Sequence, residues 1–132
     1  MGIEIDHLGI AVRSLSEGLS FYRDVLGMTV THKETVAAEH VNVAMLPSGG
    51  ESRIELLEAT DDESAIARFI AKRGPGLHHI AVKVDNLSLT VETLRQGGAK
   101  LLNEPRAGAG GHTYVFVHPE STGGVLLELI QK

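Results

Sequence analysis

Apolar and polar positions alternate from Ile3 to Val12. Ile5, His7, Gly9 and Ala11 fall on one face of a strand, and Leu8, Ile10 and Val12 on the other. A second segment repeats the arrangement, with His79 and Ala81 on one face and Ile80, Val82 and Val84 on its apolar back. Small residues stand beside both histidines, so the pattern predicts room on the histidine face and helices packed behind it. A helical period then takes over. Ser14-Leu-Ser-Glu17 has capping-box spacing, and Leu15, Leu19, Tyr22 and Leu26 form a stripe that Gly27 ends. Leu87, Val91 and Leu94 occupy the same relative places before Gly97-Gly98.

Strand-like runs follow near Thr29 to Val36, His40 to Leu46 and Arg53 to Leu57, with the turn Pro47-Ser-Gly-Gly50 between the last two. The later part of the chain offers Lys100 to Leu102, Thr113 to Val117 and Val125 to Ile130. Each half therefore reads β-α-β-β-β: module 1 spans 1–60 and module 2 spans 75–132. Between them, over 61–74, Thr60-Asp-Asp-Glu63 has capping-box spacing and Ile66, Phe69 and Ile70 form a stripe ending in Lys72-Arg73-Gly74. Acid at its start and base at its end suit the helix dipole, so an ordered connecting helix is predicted. The class is α+β, built of two fused modules in one domain. A half of about 60 residues is marginal for a private core, so the halves should pack together.

The two histidines stand 72 residues apart, and Ile54-Glu55-Leu-Leu57 matches Leu127-Glu128-Leu-Ile130 at an offset of 73. A single histidine on a half-buried strand is ordinarily a hydrogen-bonded structural residue. Recurrence with a recurring glutamate points instead to a pseudosymmetric metal site of His7, Glu55, His79 and Glu128. His78 points to the opposite face from His79 because side chains alternate along a strand. Glu55 and Glu128 lie inside apolar strands, where an unpaired buried carboxylate is costly and a divalent cation would compensate it. The alternative is that each faces solvent from a one-sided strand, and Glu58, whose counterpart is the uncharged Gln131, is expected to be such a residue. Two nitrogens and two carboxylates without thiolate suit Co, Ni, Mn, Mg or Zn with positions left for water or substrate.

Composition narrows the partners. The 42% hydrophobic content predicts a folded protein, and the absence of Cys removes disulfides and thiolate ligands from consideration. A net charge of -5 without a basic run argues against nucleic acid. No apolar run approaches the roughly 20 residues of a membrane span, and Met1-Gly-Ile-Glu-Ile-Asp6 does not read as a signal peptide, so a cytoplasmic protein is expected. Asn103-Glu-Pro-Arg-Ala-Gly-Ala-Gly-Gly-His112 reads as a loop before a strand: its glycines could offer N–H groups to an anion, or simply serve as turn residues. No Lys-Ser/Thr follows them, which removes the P-loop reading. His40, His112 and His118 have no repeat partner and rank below His7 and His79.

The paired modules with His-Glu-His-Glu resemble the vicinal oxygen chelate superfamily over nearly the whole chain. Within it, Gly76-Leu-His-His-Ile-Ala-Val-Lys-Val-Asp-Asn86, Asn103-Glu-Pro-Arg106, Phe116-Val-His-Pro119 and Gly124-Val-Leu-Leu-Glu-Leu129 are similar to the methylmalonyl-CoA epimerases. The resemblance implies a cup-shaped, eight-stranded mixed sheet around one divalent ion per chain held by His7, Glu55, His79 and Glu128. It also implies a homodimer, an acyl-CoA partner, and a mitochondrial matrix location if this is a processed eukaryotic chain. The implied reaction interconverts (R)- and (S)-methylmalonyl-CoA through an enolate that the metal stabilises, with Glu128 as one base. Many epimerases carry Gln where this chain has Glu55, and the added charge would tighten metal binding while softening Lewis acidity. Some also use a Glu on the strand before the Pro-Ser-Gly-Gly turn, where this chain has Val43. Glu39, His40 and a metal-bound water are then candidates for the second acid/base.

A lactoylglutathione lyase of the glyoxalase I type uses a similar quartet, and Glu55 fits it. The His118-Pro119 block and the Gly124-Val-Leu-Leu run favour the epimerase. A third reading is a non-catalytic ligand-sequestering protein of the same fold. The phosphates of an acyl-CoA need cations, which Lys33, Arg53, Lys100 or Arg106 could supply, and spacing selects none of them.

Overall fold

A computed structural model describes residues 2–108 and 111–132. Among the described residues it is an α+β chain with eight strands and three α-helices, as the repeat predicts. The strands are β1 (Ile3–Ala11), β2 (His32–Val36), β3 (Val41–Pro47), β4 (Arg53–Ala59), β5 (Gly76–Val84), β6 (Arg106–Ala107), β7 (Thr113–Val117) and β8 (Leu127–Gln131). They form a mixed sheet of order β2-β3-β4-β1-β5-β8-β7-β6. β1 pairs with β4 and β5 with β8 in parallel, and the other described pairings are antiparallel. The helices are α1 (Leu15–Leu19), α2 (Ala65–Arg73) and α3 (Leu87–Gln96). The chain divides into two compact units, His7–His78 on the one hand and Met1–Asp6 with His79–Lys132 on the other.

In the His7–His78 unit, the back of the strands carries Val12, Ala44, Leu46 and Leu56, which pack with Leu19 of α1. The Ser14 hydroxyl accepts from the Glu17 N–H at 3.1 Å, which starts the helix as the capping pattern predicts. After Leu19 the helix widens into a π-helical stretch, Ser20–Val25. This shifts the register of the stripe. Tyr22 still packs on the back-face cluster, whereas Leu26, the next predicted core position, is 57% exposed.

α1 packs behind the histidine strand as predicted, whereas the connecting helix α2 packs on the histidine side. Ala11, Val41, Val43 and Leu57 lie on the same side of the strands as His7 and Glu55, since Val43 pairs with Leu57 and Met45 with Glu55. That side is closed at one end by Ile66, Phe69 and Ile70 of α2. α2 also starts later than the predicted 61–74 span. Asp61 accepts from the Glu63 N–H, and Ser64, fully buried, takes the cap by accepting from Ile66 N–H at 3.1 Å. Gly74, at φ 75°, ends it in a conformation that favours glycine.

In the other unit the back face of β5, β7 and β8 carries Val84, Val115, Val117 and Leu129, which pack with Leu87 and Val91 of α3. The Asn86 side chain caps α3 by accepting from Leu89 N–H at 3.0 Å. The predicted strand over Lys100 to Leu102 is reduced to a single bridge between Leu101 and Val117. The paired segment lies further on, where Arg106–Ala107 meets Tyr114 and Thr113. The loop prediction over 103–112 therefore gives way to a short hairpin arm, and Ala109 and Gly110 of that segment lie outside the described residues.

Candidate metal and acid/base site

The His–Glu pairs are built by register. On β1 and β4, Gly9 is the partner of Glu55; on β5 and β8, Ala81 is the partner of Glu128. In both units the glutamate lies across from the residue two positions after the histidine, so both side chains rise from the same face. The one-residue difference between the two sequence offsets is absorbed in the connections before the glutamate strands. Gly9 and Ala81 leave the space between imidazole and carboxylate unobstructed by a larger side chain.

His7 and His79 are 6% and 5% exposed. His7 Nε2 stands 3.5 Å from Glu55 Oε1, and His79 Nε2 stands 3.4 Å from Glu128 Oε1. These separations exceed a good N–H···O hydrogen bond. They equal the spacing of neighbouring ligand atoms: two donors each about 2.1 Å from one ion at a tetrahedral angle lie about 3.4 Å apart. The carboxylates are 15% and 14% exposed, so each pair faces a region that a small ligand can reach. Imidazole nitrogen and carboxylate oxygen suit a borderline or hard divalent cation, and each pair fits such an ion by geometry and donor type.

The neighbours of the pairs differ. Met45 stands opposite Glu55 and Phe116 opposite Glu128. The Phe116 ring meets His79 edge to face at 6.1 Å and Tyr114 at 5.7 Å. Val43 is 6% exposed within the apolar cluster under α2.

Sequence reading missed the work of two other polar residues. Glu58 does not simply face solvent: its carboxylate accepts from Leu15 N–H at 3.0 Å and from Asn42 Nδ2 at 2.9 Å. Gln131 accepts from Leu87 N–H at 2.6 Å. Both therefore hold the first residue of the helix that follows a histidine strand. The repeat had paired Glu58 with Gln131, and the shared feature was an acceptor oxygen rather than a charge.

The other histidines have structural surroundings. His40 adopts a left-handed conformation (φ 57°), and its Nδ1 lies 2.8 Å from Asp61, which that hydrogen bond holds below the usual carboxylate range. His40 also lies five residues along from Met45, the residue opposite Glu55, or roughly 16 Å at strand spacing. Glu39 and His40 both precede β3, at the Val41 end of the strand rather than the Met45 end. His118 accepts from Glu120 N–H at 3.0 Å, and the backbone oxygen of His112 accepts from Gly108 N–H. His78 packs edge to face on Phe69 at 5.1 Å, and burial lowers its pKa. Among the cations considered for phosphate binding, Lys33 and Arg106 are exposed on β2 and β6.

The chain belongs to the Glyoxalase/Bleomycin resistance protein/Dioxygenase superfamily, whose model matches residues 6–116. Its close homologues and structural neighbours include methylmalonyl-CoA epimerases. The mitochondrial methylmalonyl-CoA epimerase of Mus musculus is 36% identical over 129 residues, covering 96% of this chain and 72% of that protein. A solved variant of Streptomyces coelicolor methylmalonyl-CoA epimerase, in complex with 2-nitronate-propionyl-CoA, is 38% identical with a TM-score of 0.89, covering 97% and 96% of the two chains. The uncharacterized protein YqjC of Bacillus subtilis is 41% identical over 128 residues, covering 96% of this chain and 91% of that protein. Lactoylglutathione lyases are related at lower identity. Among the described residues, no helix is long and apolar enough to cross a membrane.

Proposed function

We propose that this chain epimerises methylmalonyl-CoA at its α-carbon, with His7, Glu55, His79 and Glu128 together holding one divalent cation. The observation that carries the reading is the register-matched pair of buried histidine and adjacent glutamate in each unit. The likeness to epimerases over nearly the whole chain supports the choice of substrate. A bound divalent cation of this kind supplies Lewis acidity that stabilises negative charge on the carboxylate and thioester oxygens.

Glu128 is the group assigned to the α-proton. Its carboxylate oxygen accepts the proton, the C–H electron pair moves into the thioester carbonyl to give the enolate, and a proton returned to the opposite face inverts the centre. His79 and the apolar strand around Glu128 orient that oxygen. His7 and Glu55 act as ligands. Residue 43 is valine under α2 and cannot return the proton to the other face, for which Glu39, His40 and a metal-bound water stay candidates. The proposal extends to a homodimer in the cytoplasm or a mitochondrial matrix, divided as module 1 over 1–60, a connecting helix over 61–74 and module 2 over 75–132.

Proton NMR of methylmalonyl-CoA in D2O with the protein loaded with Co, Ni, Mn, Mg or Zn tests the reading. Loss of the α-proton signal together with racemisation is the expected result. An inert methylmalonyl-CoA alongside turnover of the methylglyoxal–glutathione hemithioacetal would assign the chain to the lactoylglutathione lyases, a reading that Glu55 favours. Tight binding of a thioester without exchange in any metal form would leave a ligand-sequestering protein.

A further inference from the structure

We propose that Phe116 and Tyr114 form a fixed aromatic wall beside Glu128 that limits the size of the substituent on the substrate's α-carbon. The inference rests on the epimerase reading. If Glu128 takes the α-proton, the carbon must lie within hydrogen-bond reach of its carboxylate. The neighbour of Glu128 across the strand pair is Phe116, and register partners on one face have Cβ atoms about 5 Å apart. Whatever that carbon carries therefore lies against this ring or against Tyr114, which shares the face two residues along.

The wall is held in place from several sides. Phe116 N–H donates to Asn103 Oδ1 at 2.9 Å and its carbonyl accepts from Leu102 N–H at 2.8 Å, so both backbone groups of its outer edge are bonded. Its ring is wedged edge to face between His79 at 6.1 Å and Tyr114 at 5.7 Å. The Cδ1–Cε1 edge of Tyr114 in turn lies close to Gly108, where a Cβ would stand 2.9 Å from Tyr114 Cδ1. Glycine there lets the ring settle down on the hairpin arm. The corresponding positions in the first half are Met45 and Val43, an unbranched chain and a small one. The two sides of the repeat thus differ in shape at these strand positions, which carry rings beside Glu128 and flexible or small side chains beside Glu55. Asn103, from the block shared with the epimerases, is a positioning residue in this scheme because it acts through Phe116.

The test compares α-proton exchange into D2O, and binding by titration calorimetry, for methyl-, ethyl- and butylmalonyl-CoA on metal-loaded wild type, Phe116→Leu and Tyr114→Leu. An apolar pocket discriminates about 10- to 200-fold per methylene. The wild type should therefore prefer methyl over butyl, which is three methylenes larger, by at least about 1,000-fold in kcat/KM, and Phe116→Leu should narrow that ratio by about tenfold, chiefly through the larger substrates. Tyr114→Leu should narrow it less, and it carries the test if Phe116→Leu fails to fold. An unchanged ratio in folded variants overturns the wall. If no thioester exchanges but binding keeps a size preference that the variants relax, the wall stands and the epimerase reading falls. No exchange and no size preference in binding would remove both.

Discussion

The two His–Glu pairs have nearly the same geometry and quite different surroundings. His7 and Glu55 share their face with Ala11, Val43 and Leu57, an apolar patch that Ile66 and Phe69 of α2 close from above. His79 and Glu128 share theirs with Phe116 and Tyr114, and the helix of their own unit, α3, packs on the other face. Register and a paired back face are enough to reproduce the pair, because both are properties of the backbone. What lies beside each pair depends on the side chains of β3 and β7 and, in the first half, on α2, and there the halves diverge. The first pair lies beside an apolar patch under α2 and the second beside aromatic rings, while the two carboxylates are almost equally exposed, at 15% and 14%.

The most forceful way to break this comparison is to neutralise each carboxylate. Glu128→Gln should slow α-proton exchange by about 10²- to 10⁴-fold, the span of a lost general base. Glu55→Gln should stay within about tenfold of wild type, since a ligand role survives an amide better than a proton-transfer role does. Equal losses measured by NMR exchange would make the halves functionally equivalent. Equal retention would remove Glu128 from the mechanism.

Ile66→Ala tests the packing of α2 on the apolar patch beside the first pair. It removes a side chain that is 3% exposed in the cluster with Val43 and Leu57, and chemical denaturation should show a loss of about 2–4 kcal/mol. A loss below about 1 kcal/mol would mean that α2 lies loosely on that face.

The helix starts give a smaller and graded contrast. Glu58→Ala removes a charged acceptor with two partners, and Gln131→Ala a neutral acceptor with one. Stability should fall by about 1.5–3 kcal/mol in the first case and about 0.5–1.5 kcal/mol in the second. The reverse order in denaturation midpoints would show that charge at these helix starts contributes nothing.

The smallest effect belongs to Asp61. Its carboxyl is held below the usual range chiefly by the His40 hydrogen bond, so its contribution is present above the unfolded value near 4 and fades as pH falls through the lowered folded value. Asp61→Asn should lower the melting temperature slightly at pH 7, and the difference should shrink towards about pH 2. A difference that grows on acidification would contradict the assignment.

Much of this organisation is legible along the chain. Alternation places His7 and His79 on faces with Gly9 and Ala81, and the helical stripes of Leu15 and Leu19 and of Leu87 and Val91 pack as their spacing predicts. The misses have local causes. A π-helical stretch turns Leu26 outwards, Ser64 takes the cap from the residues before it, and the strand expected over Lys100 to Leu102 yields to pairing at Arg106–Ala107. Each is a competition between nearly equal local choices that neighbouring packing resolves. The acceptor roles of Glu58 and Gln131 were hidden because their donors lie 43 and 44 residues away.

The sequence by itself determined the duplicated strand-helix pattern and the two histidine–glutamate sets, because side-chain period and internal repetition are properties of the linear chain. Tertiary structure alone decided that Gly9 faces Glu55 and Ala81 faces Glu128, that α2 seals Val43, and that Asn103 fixes Phe116 beside Glu128. Those relations depend on strand register and on which distant segment covers which face. Both are selected by the free energy of packing the whole chain, to which no single stretch of residues holds the answer.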